Sequence, residues 1–228
     1  MMVSYVSAML SIHPDRSQFF WYDTITLSCE GTDNSGNWTL KRNTSSKTAE
    51  SCISGWGVSN QTSCTIMDTY ASDTGIYWCE SDRRECSETI NITVTYGVIL
   101  ESPALPVTED ETVTLFCYYM YDEESSATSN FSANFYKDGH LISTQPTGNL
   151  TFSAVSLSDE GFYKCEHPAK GQSAQSWMAV KSKGGQQMPP QHGSAGCFCL
   201  LKDNFSFPLS PKCLLIGAVV VIWRCIEC

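Results

Sequence analysis

Apolar and polar positions alternate with period two through most of the first 182 residues, as in Ile25, Leu27, Cys29 and again in Val113, Leu115, Cys117. That alternation buries one face of a strand and leaves the other in solvent. The rhythm returns in Ile90, Ile92, Val94 and in Leu150, Phe152, Val155. Clusters of Asn, Gly, Ser and Asp separate these stretches, and helical periodicity is absent before residue 213. The pattern predicts an all-β chain.

Two stretches repeat. Thr24 to Gly31 reads TITLSCEG and Thr112 to Tyr119 reads TVTLFCYY, while Ser72 to Glu80 reads SDTGIYWCE and Ser158 to Glu166 reads SDEGFYKCE. The offsets are 88 residues between Cys29 and Cys117 and 86 between Cys79 and Cys165. The chain therefore divides into two tandem β-sandwich units, 1–96 and 97–183, followed by a linker or stalk at 184–212 and a short hydrophobic segment at 213–223. Two sheets bury a thin core in units of this size, so a covalent cross-link between them is a natural supplement. Bridges from Cys29 to Cys79 and from Cys117 to Cys165 would close loops of about 50 residues, each contributing roughly 4 kcal/mol in the entropic model. Cys52, Cys64 and Cys86 remain in this region. The pairing taken is Cys52 with Cys64, around the turn from Ser54 to Gly57, with Cys86 left over as a thiol or as the link of a disulfide-bonded dimer. Spacing by itself leaves the connectivity open.

Composition places the chain in a compartment. It has 228 residues, 12 cysteines and seven Asn-x-Ser/Thr sequons, at Asn37, Asn43, Asn60, Asn91, Asn130, Asn149 and Asn204. Both counts point to an oxidising, glycosylating secretory route. The formal charge of -10, without any basic stripe, excludes a nucleic-acid partner. Met1 to Leu10 lacks the basic region of a signal peptide, so the expectation is a truncated start with Val6 to Ile12 already in the first strand. Eleven apolar residues run from Cys213 to Trp223 between Lys212 and Arg224. As a helix they would cover about half of the roughly 30 Å hydrocarbon layer. The reading is a truncated transmembrane segment at the plasma membrane with the repeats on the extracellular face. A lipid-anchored form, on the small residues Ser194, Ala195 and Gly196, and a secreted form are the alternatives.

Candidate chemistry is sparse. Asp73-Thr74-Gly75 matches the aspartic protease triplet, but it lies in the turn before Tyr77 and Cys79 and has no matching partner. The four histidines, 13, 140, 167 and 192, stand in unrelated surroundings. Cys197, Cys199, Cys225 and Cys228 flank the apolar run and do not form a four-ligand zinc pattern. Neither an enzyme nor a cofactor or metal is expected. Tyr118, Tyr119 and Tyr121, before the acidic run Asp122 to Glu124, combine rigid aromatic area with charge, as binding loops do. The segment Glu166 to Ser173, with His167, Pro168 and Lys170, would join the last two strands at a tip. Trp56 is read as a cover for the Cys52 to Cys64 bridge. No tyrosine follows Trp223, so a signal must pass through a partner, with Arg224 available to pair with an acidic residue of a membrane adaptor.

The strand cysteine, Trp38 nine residues on, and Asp73-x-Gly75-x-Tyr77-x-Cys79, repeated as Asp159-x-Gly161-x-Tyr163-x-Cys165, resemble the immunoglobulin domain. The resemblance implies a tyrosine corner at Tyr77 and Tyr163 and a tryptophan packed on the first disulfide. The second copy has Phe135-Tyr136-Lys137-Asp138-Gly139 in place of the tryptophan. With almost no linker at Tyr96-Gly97-Val98, and with Leu100-Glu101-Ser102-Pro103 entering the second unit, residues 10–182 look like the extracellular part of leukocyte Fc receptors and Fc-receptor-like proteins. That resemblance implies a bent, rigid pair of immunoglobulin-like sandwiches and a protein ligand, immunoglobulin Fc or another immunoglobulin-superfamily protein, held by loops of the second unit. It puts Leu105 and Met120 at the positions of the family's two ligand-clamping tryptophans, which are absent here. The function implied is that of a cell-surface immune receptor, with an adhesion protein or a soluble decoy as the alternatives.

Overall fold

Strands follow one another with only short 3-10 turns between some of them, as the period-two pattern requires. The computed structural model describes residues 8–31, 37–60, 62–121 and 126–184, all within one compact unit, Met1–Phe198. Val6, the run Asp122 to Glu124, Asn204 and the whole tail from residue 185, with its apolar segment, lie outside the described residues.

The first sandwich comprises β1 (Met9–His13), β2 (Gln18–Phe20), β3 (Ile25–Glu30), β4 (Trp38–Thr44), β5 (Glu50–Ser51), β6 (Val58–Asn60), β7 (Ser63–Ile66), β8 (Gly75–Ser81) and β9 (Ile90–Thr95). One sheet has the order β1-β3-β7-β6 and the other β2-β9-β8-β4-β5. The second sandwich comprises β10 (Gly97–Glu101), β11 (Val107–Thr108), β12 (Val113–Met120), β13 (Ala133–Lys137), β14 (His140–Gln145), β15 (Asn149–Phe152), β16 (Gly161–His167), β17 (Gly171–Gln172), β18 (Ser176–Met178) and β19 (Val180–Lys181). Its sheets are β10-β12-β15 and β14-β13-β16-β17, with β18 beside β16. In each sandwich the entering chain pairs first antiparallel and then parallel with the strand that leaves it: β1 on β3 and β2 on β9, then β10 on β12 and β11 on β19, the last two as a two-stranded sheet of their own. The sequence repeat is thus a repeat of topology.

Each core lies between its two sheets. Ile25, Leu27 and Ile92 are fully buried in the first, as are Leu115 and Phe135 in the second. Disulfides tie the sheets together at Cys29–Cys79 and Cys117–Cys165, and a third joins Cys52 to Cys64. Cys86 is half-buried and stands outside these three bridges. Leu40 pairs with Cys79 and Phe135 with Cys165, while Trp38 lies two residues away, opposite Ser81, in the same buried cluster as the first bridge.

The two SDxG segments build the same corner. Asp73 Oδ2 accepts the Tyr70 N–H at 2.9 Å, and Asp159 Oδ2 accepts that of Ser156 at 2.8 Å. The Tyr77 and Tyr163 hydroxyls then each donate to the carbonyl of that aspartate at 2.6 Å. Burial pushes the Tyr77 phenol up to about 12. The following glycine is needed because β4 runs so close that a Cβ on Gly75 would collide with the Asn43 carbonyl oxygen. Asp73 is further engaged by Arg42 at 2.6 Å, and Arg42 also donates to Glu50 at 3.1 Å and lies 4.4 Å from the Trp56 ring centre. Trp56 packs on the first core, which includes Cys52 and Cys64, and also serves this buried ion pair and the Tyr77 ring, 5.6 Å away.

Two strands depart from one-sided burial. All three residues of β2 are buried, and so are Val98, Ile99 and Leu100 of β10. Both strands are covered on both faces because they meet. The Gln18 side chain, 1% exposed, accepts the Leu100 N–H at 3.0 Å and donates to the Ala174 carbonyl at 2.9 Å and to Ser176 Oγ at 2.6 Å. Ser17 and Ser176 hydroxyls lie 2.8 Å apart. Arg16 bridges Asp23 of the first sandwich at 2.9 Å and Glu101 of the second at 2.8 Å. Tyr96 alone separates β9 from β10, and Gly97, with φ of +89°, supplies the left-handed turn that this elbow requires.

Candidate functional site

Period-two geometry divides the residues of β12. Cys117 points into the core, so Tyr119 lies on that side and Tyr118 and Met120 on the other. Tyr118 stacks on Phe116 at 5.9 Å, and burial together with the nearby Glu101 carboxylate raises its phenol. Tyr119 instead packs on the second core and meets the β16–β17 turn. Its main chain is fixed by two hydrogen bonds with Thr128, both 2.9 Å.

At this end of the sandwich the His167 ring lies 5.3 Å from Tyr119 and 4.3 Å from Phe131. His167 Nδ1 accepts the Ala169 N–H at 3.0 Å, and Gly171, with φ of +96°, closes the turn. The Lys170 ammonium lies 5.3 Å from the ring centres of both Tyr119 and Tyr121, so one cation bridges the two loops. Tyr121 is 73% exposed. The structure thus brings Tyr119, Tyr121, His167 and Lys170 together and adds Phe131. Sequence reasoning missed Phe131 because it sits among Ser129, Asn130 and Ser132 with no apolar rhythm around it.

Leu105 and Met120 do not stand together. Met120 pairs with Gly97 at one end of β10, whereas Glu101 pairs with Phe116 at the other, and Leu105 lies beyond that end. Leu105 is half-buried against the first core, and its N–H, like that of Ala104, donates to Asp15 Oδ1 at 3.0 and 2.9 Å respectively. It is an interface residue of the two sandwiches. The six described sequon asparagines, Asn37, Asn43, Asn60, Asn91, Asn130 and Asn149, are all exposed, as glycan attachment requires. A polar hollow of about 340 Å³ on the first sandwich is lined by Asn37, Lys41, Glu80 and Arg84 among others. Among the described residues no group of His, Cys, Asp and Glu could hold a metal ion, and no helix is long and apolar enough to cross a membrane.

Acidification should loosen this loop pair. Burial, then the Lys170 charge, lowers the His167 pKa, so the neutral ring that accepts the Ala169 N–H is the form the fold prefers. For a lowered histidine pKa the stabilisation is present above the unfolded-state value and is lost as pH falls through the folded one. Hydrogen exchange should show the Ala169 amide protected at neutral pH and more open as pH falls below the ordinary imidazole value of 6.5. Protection independent of pH would show that the ring does not hold the turn.

The family model of the immunoglobulin domain matches residues 97–179. That match falls on the second sandwich, whose disulfide and tyrosine corner are those described above. The chain is 27% identical over 140 residues to the low affinity immunoglobulin gamma Fc region receptor II of Mus musculus, covering 56% of the chain and 40% of that receptor. It is 33% identical over 112 residues to the low affinity immunoglobulin gamma Fc region receptor III of Rattus norvegicus, covering 49% and 39%. Fc receptor-like protein 5 of Mus musculus is 24% identical to it over 168 residues, 72% of the chain and 26% of that protein. The chain therefore spans less than half the length of each of these relatives.

Proposed function

We propose that this is a cell-surface immune receptor, built of domains 1–96 and 97–183 on a stalk and a short anchor, that binds a protein ligand and carries out no chemistry on it. The supporting observation is the cluster of Tyr119, Tyr121, Phe131, His167 and Lys170 at the elbow end of the second sandwich. Aromatic rings held by packing beside a cation offer large contact area at small entropic cost, which is the make-up of binding hot spots. The ligand proposed is immunoglobulin Fc, because two relatives are named as receptors for the gamma Fc region. Signalling passes through a membrane adaptor.

The test is a binding titration of cells displaying the full chain against pooled immunoglobulin of the same species, to tens of micromolar. Saturable binding is expected, weakened roughly tenfold by Tyr121→Ala or Lys170→Ala, as for hot-spot residues. Leu105→Ala should change the ligand affinity little. Absence of binding at about 50 µM, a concentration that reveals even weak receptor complexes, would remove Fc as the ligand.

A further inference from the structure

The polar hollow of the first sandwich has a sheet for its floor. Trp38 and Leu40 of β4 point into the core, so Asn37, Thr39 and Lys41 stand on the outer face. On β8, Cys79 points inward and Glu80 outward, with Thr39 paired to Glu80. The ladder runs one step further, since the Asp82 N–H donates to the Asn37 carbonyl at 3.3 Å. The turn after β8 is closed on Ser81. Its Oγ accepts the N–H groups of Arg83 at 3.2 Å and Glu85 at 3.1 Å, and its carbonyl accepts that of Arg84 at 3.0 Å. Arg84 takes φ of +66° there, which a residue with a side chain adopts where its surroundings hold it. Lys41 and Glu80 meet at 2.7 Å with side chains 24% and 17% exposed, and the Trp78 indole N–H donates to the other Glu80 oxygen at 3.4 Å. The hollow is therefore lined by side chains and a turn already fixed in place, and its volume of about 340 Å³ lies at the small end of ligand sites.

From this we infer that the hollow is a carbohydrate site whose occupant is the inner part of the N-glycan carried by Asn37 itself. The tether selects the occupant. Asn37-Trp38-Thr39 is a sequon, and its asparagine lines the hollow, so a sugar joined to that side chain starts inside it. Such a sugar meets the lining at high effective concentration and without the loss of translational freedom that a free ligand pays. The lining also suits sugar chemistry, because each sugar hydroxyl both donates and accepts. Lys41 has three N–H groups and Glu80 about four lone-pair sites, so their mutual bond leaves both with capacity to spare. Asp82 adds an exposed carboxylate, Arg84 a guanidinium and Thr39 a hydroxyl. Two other sequons of the same sandwich are placed differently. Asn91 stands on the ladder beside the exposed Ile76, and Asn60 lies on the edge strand β6. The inference rests on the secretory route and does not depend on the loop cluster of the second sandwich or on Fc as ligand.

The test is enzymatic removal of glycans from the folded full chain, made in cells that keep its glycans in the oligomannose form. An endoglycosidase that cuts between the two innermost N-acetylglucosamine rings is used, and each site is followed as a glycopeptide by mass spectrometry. Asn37 is expected to be cut at least roughly tenfold more slowly than Asn60 and Asn91, which corresponds to about 1.4 kcal/mol in favour of the seated glycan. Unfolding the chain should abolish the difference. Asp82→Ala with Arg84→Ala should bring Asn37 in the folded chain to the rate of the other two sites. Unchanged rates at Asn60 and Asn91 and an unchanged far-ultraviolet circular dichroism spectrum show that the variant is folded, and Lys41→Ala serves if it is not. A wild-type chain with no glycan at Asn37, cleavage there as fast as at Asn60 and Asn91, or slow cleavage that persists in the variants overturns the inference.

Discussion

Gln18→Ala is expected to lower the midpoint of thermal unfolding by roughly 5–12 °C, taking about 2–4 °C per kcal/mol for a chain of this size. One buried amide side chain satisfies the Leu100 N–H, the Ala174 carbonyl and Ser176 Oγ. Alanine leaves the Leu100 donor and the Ala174 acceptor without that partner in a site closed to solvent, at about 1–3 kcal/mol each. The contact it removes joins the two sandwiches, so the elbow should also loosen. Small-angle scattering should show a larger radius of gyration for Gln18→Ala than for wild type, and calorimetry should show a transition broadened or split as the sandwiches melt separately. Gln18→Glu should be at least as damaging, because a carboxylate would face the Ala174 carbonyl. A melting point within about 1 °C of wild type, equivalent to well under 1 kcal/mol, would mean that the interface is held by Arg16 and the apolar faces alone.

Asp73→Ala is expected to cost about 3–5 kcal/mol in urea unfolding, the usual consequence of removing one partner of a buried ion pair. The Arg42 and Asp73 side chains are 9% and 11% exposed and meet at 2.6 Å. Without the carboxylate, Arg42 keeps Glu50 and the face of Trp56 but loses its closest anion, and the Tyr70 N–H loses its acceptor. Arg42→Met combined with Asp73→Ala should be less damaging than Asp73→Ala alone, since the charge is then removed together with its partner. A double variant as unstable as the sum of the two singles would show that the pair acts independently and that the loss comes from the tyrosine corner instead.

The sequence carried the fold further than it carried the site. Period-two strands, the repeated SDxG-x-Tyr-x-Cys segments and the cysteine spacing are local signals, and each corresponds to a strand, a corner or a bridge. The double-sided burial of β10 was also written in its unbroken run Val98-Ile99-Leu100, the mark of a strand covered on both faces. What covers it was not, because Gln18 is a polar residue 82 positions away, buried for its three hydrogen bonds. The same limit separated Leu105 from Met120: adjacency to a motif gives no information about which sandwich a side chain packs on. Tyr118 and Tyr119 are neighbours in sequence on opposite faces of β12, while Tyr119, Phe131 and His167 meet only through the pairing of distant loops. Phe162 and Trp177, single aromatics in otherwise polar stretches, look unremarkable until β18 is laid beside β16.

The parallel pairing of β2 with β9 and of β11 with β19 bears on how the molecule takes mechanical load. In each sandwich the strand that follows the entry into the fold lies alongside the strand by which the chain leaves it. A pull that draws the two ends of a sandwich apart therefore slides these strands past one another, so the hydrogen bonds of the ladder share the force in shear and cannot open one at a time as in unzipping. The bridges Cys29–Cys79 and Cys117–Cys165 then limit how far either sandwich can extend once its ladder yields. A chain of this build, held at one end and pulled near the elbow, would transmit tension through its second sandwich with little stretch.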